Sequence, residues 1–355
     1  MSGKPSPARR RRPAAAPKPM KRLVLISLAL VAAAVIGWAP WTYSGPGPSA
    51  PEGEVTAVVL KRGAGVREIA RSLSEAGVIR SEALFVLAAR FTGAATELKA
   101  GEYEFPSRAS MASILSDIRE GKVVVHQVTV PEGMPSIMVV EMLAAQPDLT
   151  GPVETPPEGS ILPETYQFER GETRAAVLQR MMDAQEKVLA ELWPKRQPGL
   201  PISTPQQAVT LASVVEKETG VAAERPRVAA VFVNRLRLGM RLQSDPTIIY
   251  GVTRGKPLGR GIRMSELNRV TDWNTYQMAG LPKTPIANPG RASLEAVLNP
   301  PKTNELYFVA DGTGGHVFAT NLTDHNANVA RWRDIERNAG QAAAAPARAP
   351  ATVEQ

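Results

Sequence analysis

The chain has 355 residues, 43% hydrophobic and 21% charged, a globular balance with length enough for two domains. Its formal net charge of +8 is already present in the first 22 residues, where Lys4, Arg9, Arg10, Arg11, Arg12, Lys18, Lys21 and Arg22 stand without an acid, so the remaining 34 basic and 34 acidic residues cancel. A body with no charge excess argues against a nucleic-acid-binding face, and zero cysteines exclude disulfide staples, thiol nucleophiles and Cys-ligated metals.

After the basic stretch 1–22 comes LVLISLALVAAAVIGWAPW, residues 23–41, uncharged and closed by Trp38, Trp41 and Tyr43. About 17 to 20 apolar residues suffice to span a bilayer as a helix, and the positive-inside bias puts residues 1–22 in the cytoplasm. A cleaved signal peptide has a similar basic and apolar start, but this run is long for one and its small-x-small site is poor, which favours an uncleaved anchor. Either way the body is exported. Residues 42–54 are rich in Gly, Pro and Ser and read as a linker.

A small module is expected over 55–125. VTAVVL (Val55 to Leu60) suits a strand, Gly65 to Val78 has helical spacing through Val66, Ile69, Ala70 and Leu73, Ser81 caps a second helix to Phe91, and Ala100 to Phe105 suits a returning strand. The stretch Val130 to Leu149 echoes the first strand end, Gly turn and apolar helix, so a duplicated unit is one reading. A larger domain is expected over 126–338, with a long helix from Thr173 to Leu192 and an Ala/Pro-rich, disordered tail over 339–355. Irregular alternation of helices and strands points to an α+β fold.

LASVVEKETG, Leu211 to Gly220, places two glutamates two residues apart on an apolar helix. Thr204 or Ser203 as N-cap, Pro205 at the first helical position and Gln207 three residues after Thr204 mark its start. Projected at about 100° per residue, Glu218 falls on the stripe of Leu211, Val214 and Val215, while Glu216 and Lys217 point away. A carboxyl on a core-facing stripe should have a raised pKa, as a general acid needs. The plain alternative is a buried partner for Arg225 or Arg235. Further on, Gln243, Ser244 and Asp245 follow the helix stop at Gly239, Tyr250 closes DPTIIYG, and the loop 271–290 holds Trp273, Asn274, Tyr276 and Gln277. Aromatic rings with amides suit sugar binding, and equally an ordinary proline-pinned loop. Tyr307 to Val329 reads as a hairpin turning at Gly312 to Gly315 and then a polar segment, and His126, His316 and His325 are too scattered for a metal set.

Together LASVVEKET, RLRLGMRLQSDPTIIYG, NTYQMAGLPKTPIANPG and YFVADGTGGHVFATNLTDHN, in this order, resemble the YceG-like endolytic murein transglycosylases over about Leu162 to Asn328, with ILPETYQF (Ile161 to Phe168) as a further match. The small module resembles the LysM-like part of that family, and the single amino-terminal anchor fits. The resemblance implies that Glu218 is the catalytic acid and base, and that the substrate is the peptidoglycan glycan strand, cut between N-acetylmuramic acid and N-acetylglucosamine to leave a 1,6-anhydro end. No cofactor or metal is implied. For substrate contact the candidates are Gln243, Asp245, Tyr250, Asn274 and Tyr276. A cell-wall enzyme of the inner membrane, with its body in the periplasm beside peptidoglycan synthases, follows from the resemblance and the topology. Two other readings stay open: a hydrolase in which Asp245 or Glu216 activates water, and a membrane-tethered peptidoglycan-binding scaffold without catalysis.

Overall fold

The structure, a computed structural model, describes residues 23, 24, 26, 27 and 37–344. The basic stretch 1–22, most of the expected anchor 23–41 and residues 345–355 lie outside the described residues. Among the described residues no helix is long and apolar enough to cross a membrane. The chain divides into two units, residues 1–124 and 125–355. Helices and short antiparallel strand pairs alternate in both, so the fold is α+β.

In the first unit β1 (Val55–Leu60) pairs antiparallel with β2 (Gly101–Pro106), Val55 opposite Pro106 and Leu60 opposite Gly101. Between them lie α1 (Val66–Glu75) and α2 (Glu82–Phe91), and α3 (Met111–Glu120) follows. The Ser81 hydroxyl accepts from Leu84 N at 3.3 Å and so caps α2. Ile69, Ala70 and Leu73 of α1 recur at helical spacing and meet Phe85, Tyr103, Phe105, Ile114 and Ile118 in one buried cluster. The sequence reading reached strand, helix, helix, strand and missed α3, whose Ser110 cap and Ile114, Leu115, Ile118 stripe carry the same signals.

Residues 42–54 are not a loose connection. Thr42 is buried and Tyr43 packs against the unit's core. Gly47 N donates to Arg108 O at 3.0 Å, Arg108 N to Pro48 O at 2.9 Å, Ala50 N to Ser107 Oγ at 3.0 Å and Ser107 N to Glu54 O at 2.7 Å. Arg80 lies over the Trp41 ring and donates to Pro46 O at 2.9 Å and Gly47 O at 3.2 Å. The segment is a strap fastened along its length.

The second unit begins with β3 (Val125–Thr129), a Gly133 turn and α4 (Ser136–Ala144), and β3 pairs antiparallel with β4 (Thr165–Glu169). Strand, turn and helix, the elements of the internal echo, thus occur in both units, and in each a later strand pairs with the first. Helix α5 (Arg174–Leu192) is capped by Thr173. The main core forms around α6 (Pro205–Glu218), in which every residue from Ala208 to Val215 is buried. It packs against α7 (Arg225–Arg237) and α10 (Arg291–Leu298), with α8 (Asp245–Thr253) and the single turn α9 (Met264–Leu267) lying between these in sequence. β5 (Tyr307–Ala310) and β6 (His316–Ala319) form the expected hairpin, closed by an Asp311 carboxylate that accepts from Thr313 N and Gly315 N. The polar segment after it is a helix, α11 (Leu322–Ala344), started by Asn321, whose side chain accepts from Asp324 N at 2.9 Å. It takes in residues 339–344 of the expected tail.

Candidate active site

Thr204 caps α6 with its hydroxyl accepting from Gln207 N at 3.2 Å, and Gln207 reaches back to Ser203 N at 2.7 Å. These bonds fix the start of the helix, hence the rotational phase in which its last residue, Glu218, leaves the core. Glu218 faces a cleft of about 450 Å³, lined also by Arg235, Leu242, Gln243, Asp245, Tyr276, Phe308, Val309, His325 and Val329. Only part of the residue is open to this cleft. Burial, as the main cause, pushes the Glu218 carboxyl up to about 7, and the neighbouring Asp245 charge adds to the rise. The Ser244 hydroxyl, the His316 ring and the Arg235 guanidinium oppose it. Ser244 Oγ is buried beside this carboxyl and, among the described residues, has no partner in full hydrogen-bonding geometry.

A carboxyl of this kind can give a proton near neutral pH and take one back. If protonated Glu218 is needed at the start of turnover, activity falls as pH rises through about 7. Removing the Ser244 hydroxyl takes away a lowering influence and so raises this pKa. The expected result for Ser244→Ala is a kcat-against-pH curve whose high-pH fall moves to higher pH; a fall that stays in place or moves down would refute the assignment.

Asp245, the first residue of α8, accepts from Tyr276 Oη at 2.7 Å, and burial together with this bond holds the Tyr276 phenol well above its ordinary range. Gln243 has a left-handed backbone, φ 53°, which puts its side-chain oxygen 3.3 Å from Arg235 Nη1. Gln243, Asp245 and Tyr276 therefore share the cleft with Glu218.

Two other expected contact residues do not. Tyr250 is buried against Trp273, ring centroids 5.7 Å apart, and its phenol, pushed up to about 12 chiefly by burial, adjoins Glu158. Asn274 is 1% exposed, and its amide donates to the carbonyls of Arg269, Leu267 and Glu266 while Tyr276 N donates to its oxygen. Each is consumed within the protein: Asn274 ties its loop together so that Tyr276 reaches the cleft. Trp273 is likewise engaged, its Nε1 donating to Thr284 Oγ1 at 2.9 Å.

Glu216 points away from the stripe of its own helix, as expected, and is enclosed there: its side chain, 4% exposed, is met by Arg225 Nη2 at 3.2 Å and Gly290 N at 2.9 Å. A Cβ at Gly290 would displace the Glu132 carboxylate that also receives Arg225. Of the two arginines named as possible partners for Glu218, Arg225 thus belongs to Glu216. Among the described residues Glu218 itself makes no ion pair within 4.0 Å, and Arg235 is tied instead to backbone carbonyls.

Arg235, expected only as a possible ion-pair partner of Glu218, and His325, one of three scattered histidines, both line the cleft. His325 sits in the first turn of α11, stacked on Tyr307 with ring centroids 5.0 Å apart. His316, on β6, is held by Glu224, Nδ1 to Oε2 at 2.7 Å. Among the described residues no group of three or more His, Cys, Asp or Glu is placed to hold a metal ion.

The YceG-like family model matches residues 58–331, a span that takes in most of both units. The chain belongs to the YceG-like family. An endolytic murein transglycosylase of Bacillus subtilis (strain 168) is 29% identical over 299 residues, covering 75% of this chain and 82% of the relative. Another, of Streptococcus pneumoniae serotype 2, is 28% identical over 334 residues; the match covers 79% of this chain but 59% of the pneumococcal protein, which is much longer. A crystal structure of a YceG-like protein of Listeria monocytogenes aligns over 78% of this chain and 99% of its own, at 27% identity and a TM-score of 0.48.

Proposed function

We propose that this chain is an endolytic lytic transglycosylase of peptidoglycan, cutting the bond from N-acetylmuramic acid to N-acetylglucosamine within glycan strands. The observation that carries the reading is Glu218, a single carboxyl pushed up to about 7 at the mouth of a polar cleft, in a family whose curated relatives bear that activity in their names. Protonated Glu218 gives its proton to the departing glycosidic oxygen as the C1–O bond breaks. The resulting carboxylate takes the proton of the muramic acid 6-hydroxyl as that oxygen bonds to C1. One carboxyl serves both transfers, no water is consumed, and the product ends in a 1,6-anhydro ring. A group that alternates between acid and base works best when it titrates near the ambient pH.

Asp245 favours a second reading. Glycoside hydrolysis uses two carboxylates, and Asp245 shares the cleft with Glu218. Hydrolysis leaves a reducing muramic acid and transglycosylation an anhydro one, so mass spectrometry of fragments released from purified peptidoglycan separates the two. We expect anhydro ends from the parent protein and none from Glu218→Gln; reducing ends would transfer the role to the Glu218 and Asp245 pair.

For location we propose a single-pass inner-membrane protein, with residues 1–22 cytoplasmic, 23–41 as anchor and the body in the periplasm, where the first unit acts as a LysM-like strand-contacting module and synthases of new strands are the expected partners. The basic and apolar pattern of residues 1–41 supports this. Protease protection in spheroplasts tests it: a body digested from outside agrees, and a protected body does not.

A further inference from the structure

Two nitrogen donors in the cleft are left unused by the protein. Arg235 is 8% exposed and donates through Nε to Leu306 O at 2.6 Å and through Nη1 to Leu242 O at 2.8 Å, Arg241 O at 3.2 Å and Gln243 Oε1 at 3.3 Å. These bonds fix the guanidinium plane, and Nη2, which makes no hydrogen bond among the described residues, is left over on the cleft wall. His325 shows a similar asymmetry. Its Nδ1 is buried without a partner, while Nε2 also lacks a protein partner and is the ring nitrogen that is not sealed off. A buried N–H without an acceptor is rarer and costlier than a buried lone pair, which assigns the proton to Nε2. Burial, with the Arg235 charge, lowers the ring's affinity for a second proton, so it stays a neutral donor.

The other polar groups of the cleft are Glu218, Gln243 and the Asp245 and Tyr276 pair, which already bond each other. The unused pair, one donor charged and one neutral, therefore fits an acceptor oxygen brought in by the ligand, and best an anionic one. On the proposed function, the strand alternates two sugars that differ by the lactyl ether on one of them. Its carbonyl is an amide where a peptide stem is attached and a free carboxylate where the stem has been removed.

We propose that Arg235 Nη2 and His325 Nε2 together bind the lactyl carbonyl of the muramic acid and so select which of the two alternating bonds is presented to Glu218. The contact lies away from the breaking bond and is made in ground state and transition state alike. It sets affinity and register, and the proton transfers remain with Glu218.

The test is equilibrium binding to the full chain in detergent carrying Glu218→Gln, so that nothing is cleaved, read by anisotropy of end-labelled glycans. Three probes of equal length are used: strands with stems, strands stripped of stems, and a chitin-type oligosaccharide with no lactyl group. We expect both strands to bind about tenfold or more tighter than the chitin-type probe, the stripped form tightest because its carboxylate meets a charge. Adding His325→Phe should remove most of that preference without lowering the melting temperature, since the ring keeps its stack on Tyr307 and an unpartnered buried nitrogen disappears. Adding His325→Gln instead, which restores a donor, should recover part of it. Equal binding of strand and chitin-type probe, or a preference that survives both His325→Phe and Arg235→Lys, overturns the inference. Product analysis of the unmutated chain judges the underlying reading separately: discrimination without anhydro products would sink the transglycosylase and leave the lactyl site standing.

Discussion

Glu218→Gln abolishes release of anhydro-ended fragments and at the same time makes the protein more stable above neutral pH. The loss of rate should be about a thousandfold or more, because on the proposed mechanism the same group gives the first proton and takes the second. The gain in stability follows from the sign of the shift. The folded pKa, about 7, lies above the ordinary value of 4.5, so between these pH values the folded state holds a proton that the unfolded state has released. This residue's contribution is therefore most favourable below about pH 4.5 and is lost as pH rises through 7. The shift corresponds to roughly 3 kcal/mol as an upper bound, lessened because the side chain is partly open to the cleft. Glutamine cannot ionise and escapes the penalty. Urea denaturation at pH 5 and pH 8 checks this: the variant should gain on the parent between the two, and a parallel pair of curves would mean that Glu218 is not held protonated.

Glu216→Ala produces the opposite pair of effects two residues away. Its side chain is enclosed with Arg225, and removing one member of a buried pair costs about 3–5 kcal/mol by leaving the other charge uncompensated. Glu132, half-exposed, remains beside Arg225 and takes part of the charge, so the expected loss is at the lower end, about 3 kcal/mol. It should read as a lower denaturation midpoint, with the rate per folded molecule within a few-fold of the parent. A Glu216→Ala protein that melts normally and makes no product would move Glu216 into the chemistry and the hydrolase reading with it.

The contrast shows what a helix's own periodicity can report. Glu218 was legible because its surroundings are set by Leu211, Val214 and Val215 on the same helix, at spacings that the 3.6-residue turn fixes. The enclosure of Glu216 was not legible, because it comes from Arg225 on the next helix and Gly290 on a distant loop, which no projection of α6 contains. The same limit explains the cleft. Asp245 and Gln243 follow the helix stop at Gly239 and could be named, whereas His325 belongs to a polar helix more than a hundred residues after Glu218 and meets it only through folding of the hairpin. Tyr250 and Asn274 were chosen as residue types that bind sugars, and the protein uses both internally. A sequence signal for Asn274 did exist: an amide in a proline-bounded loop has many backbone carbonyls within reach. In the first unit β1, α1, α2 and β2 were legible from alternation and caps.

The strap over residues 42–54 bears on how far the enzyme could work from the membrane anchor proposed for it. A free Gly/Pro/Ser tether of some thirteen residues would allow an end-to-end excursion of roughly 20 Å. Here the Arg80, Arg108 and Ser107 bonds remove that slack, and Trp41 and Tyr43 continue the fastening into the helical stretch 37–44. On the proposed topology, the first unit then stands at a fixed height above the lipid and acts as a spacer, so that glycan would meet it within a thin layer next to the membrane and strands lying deeper in the wall would pass out of its reach.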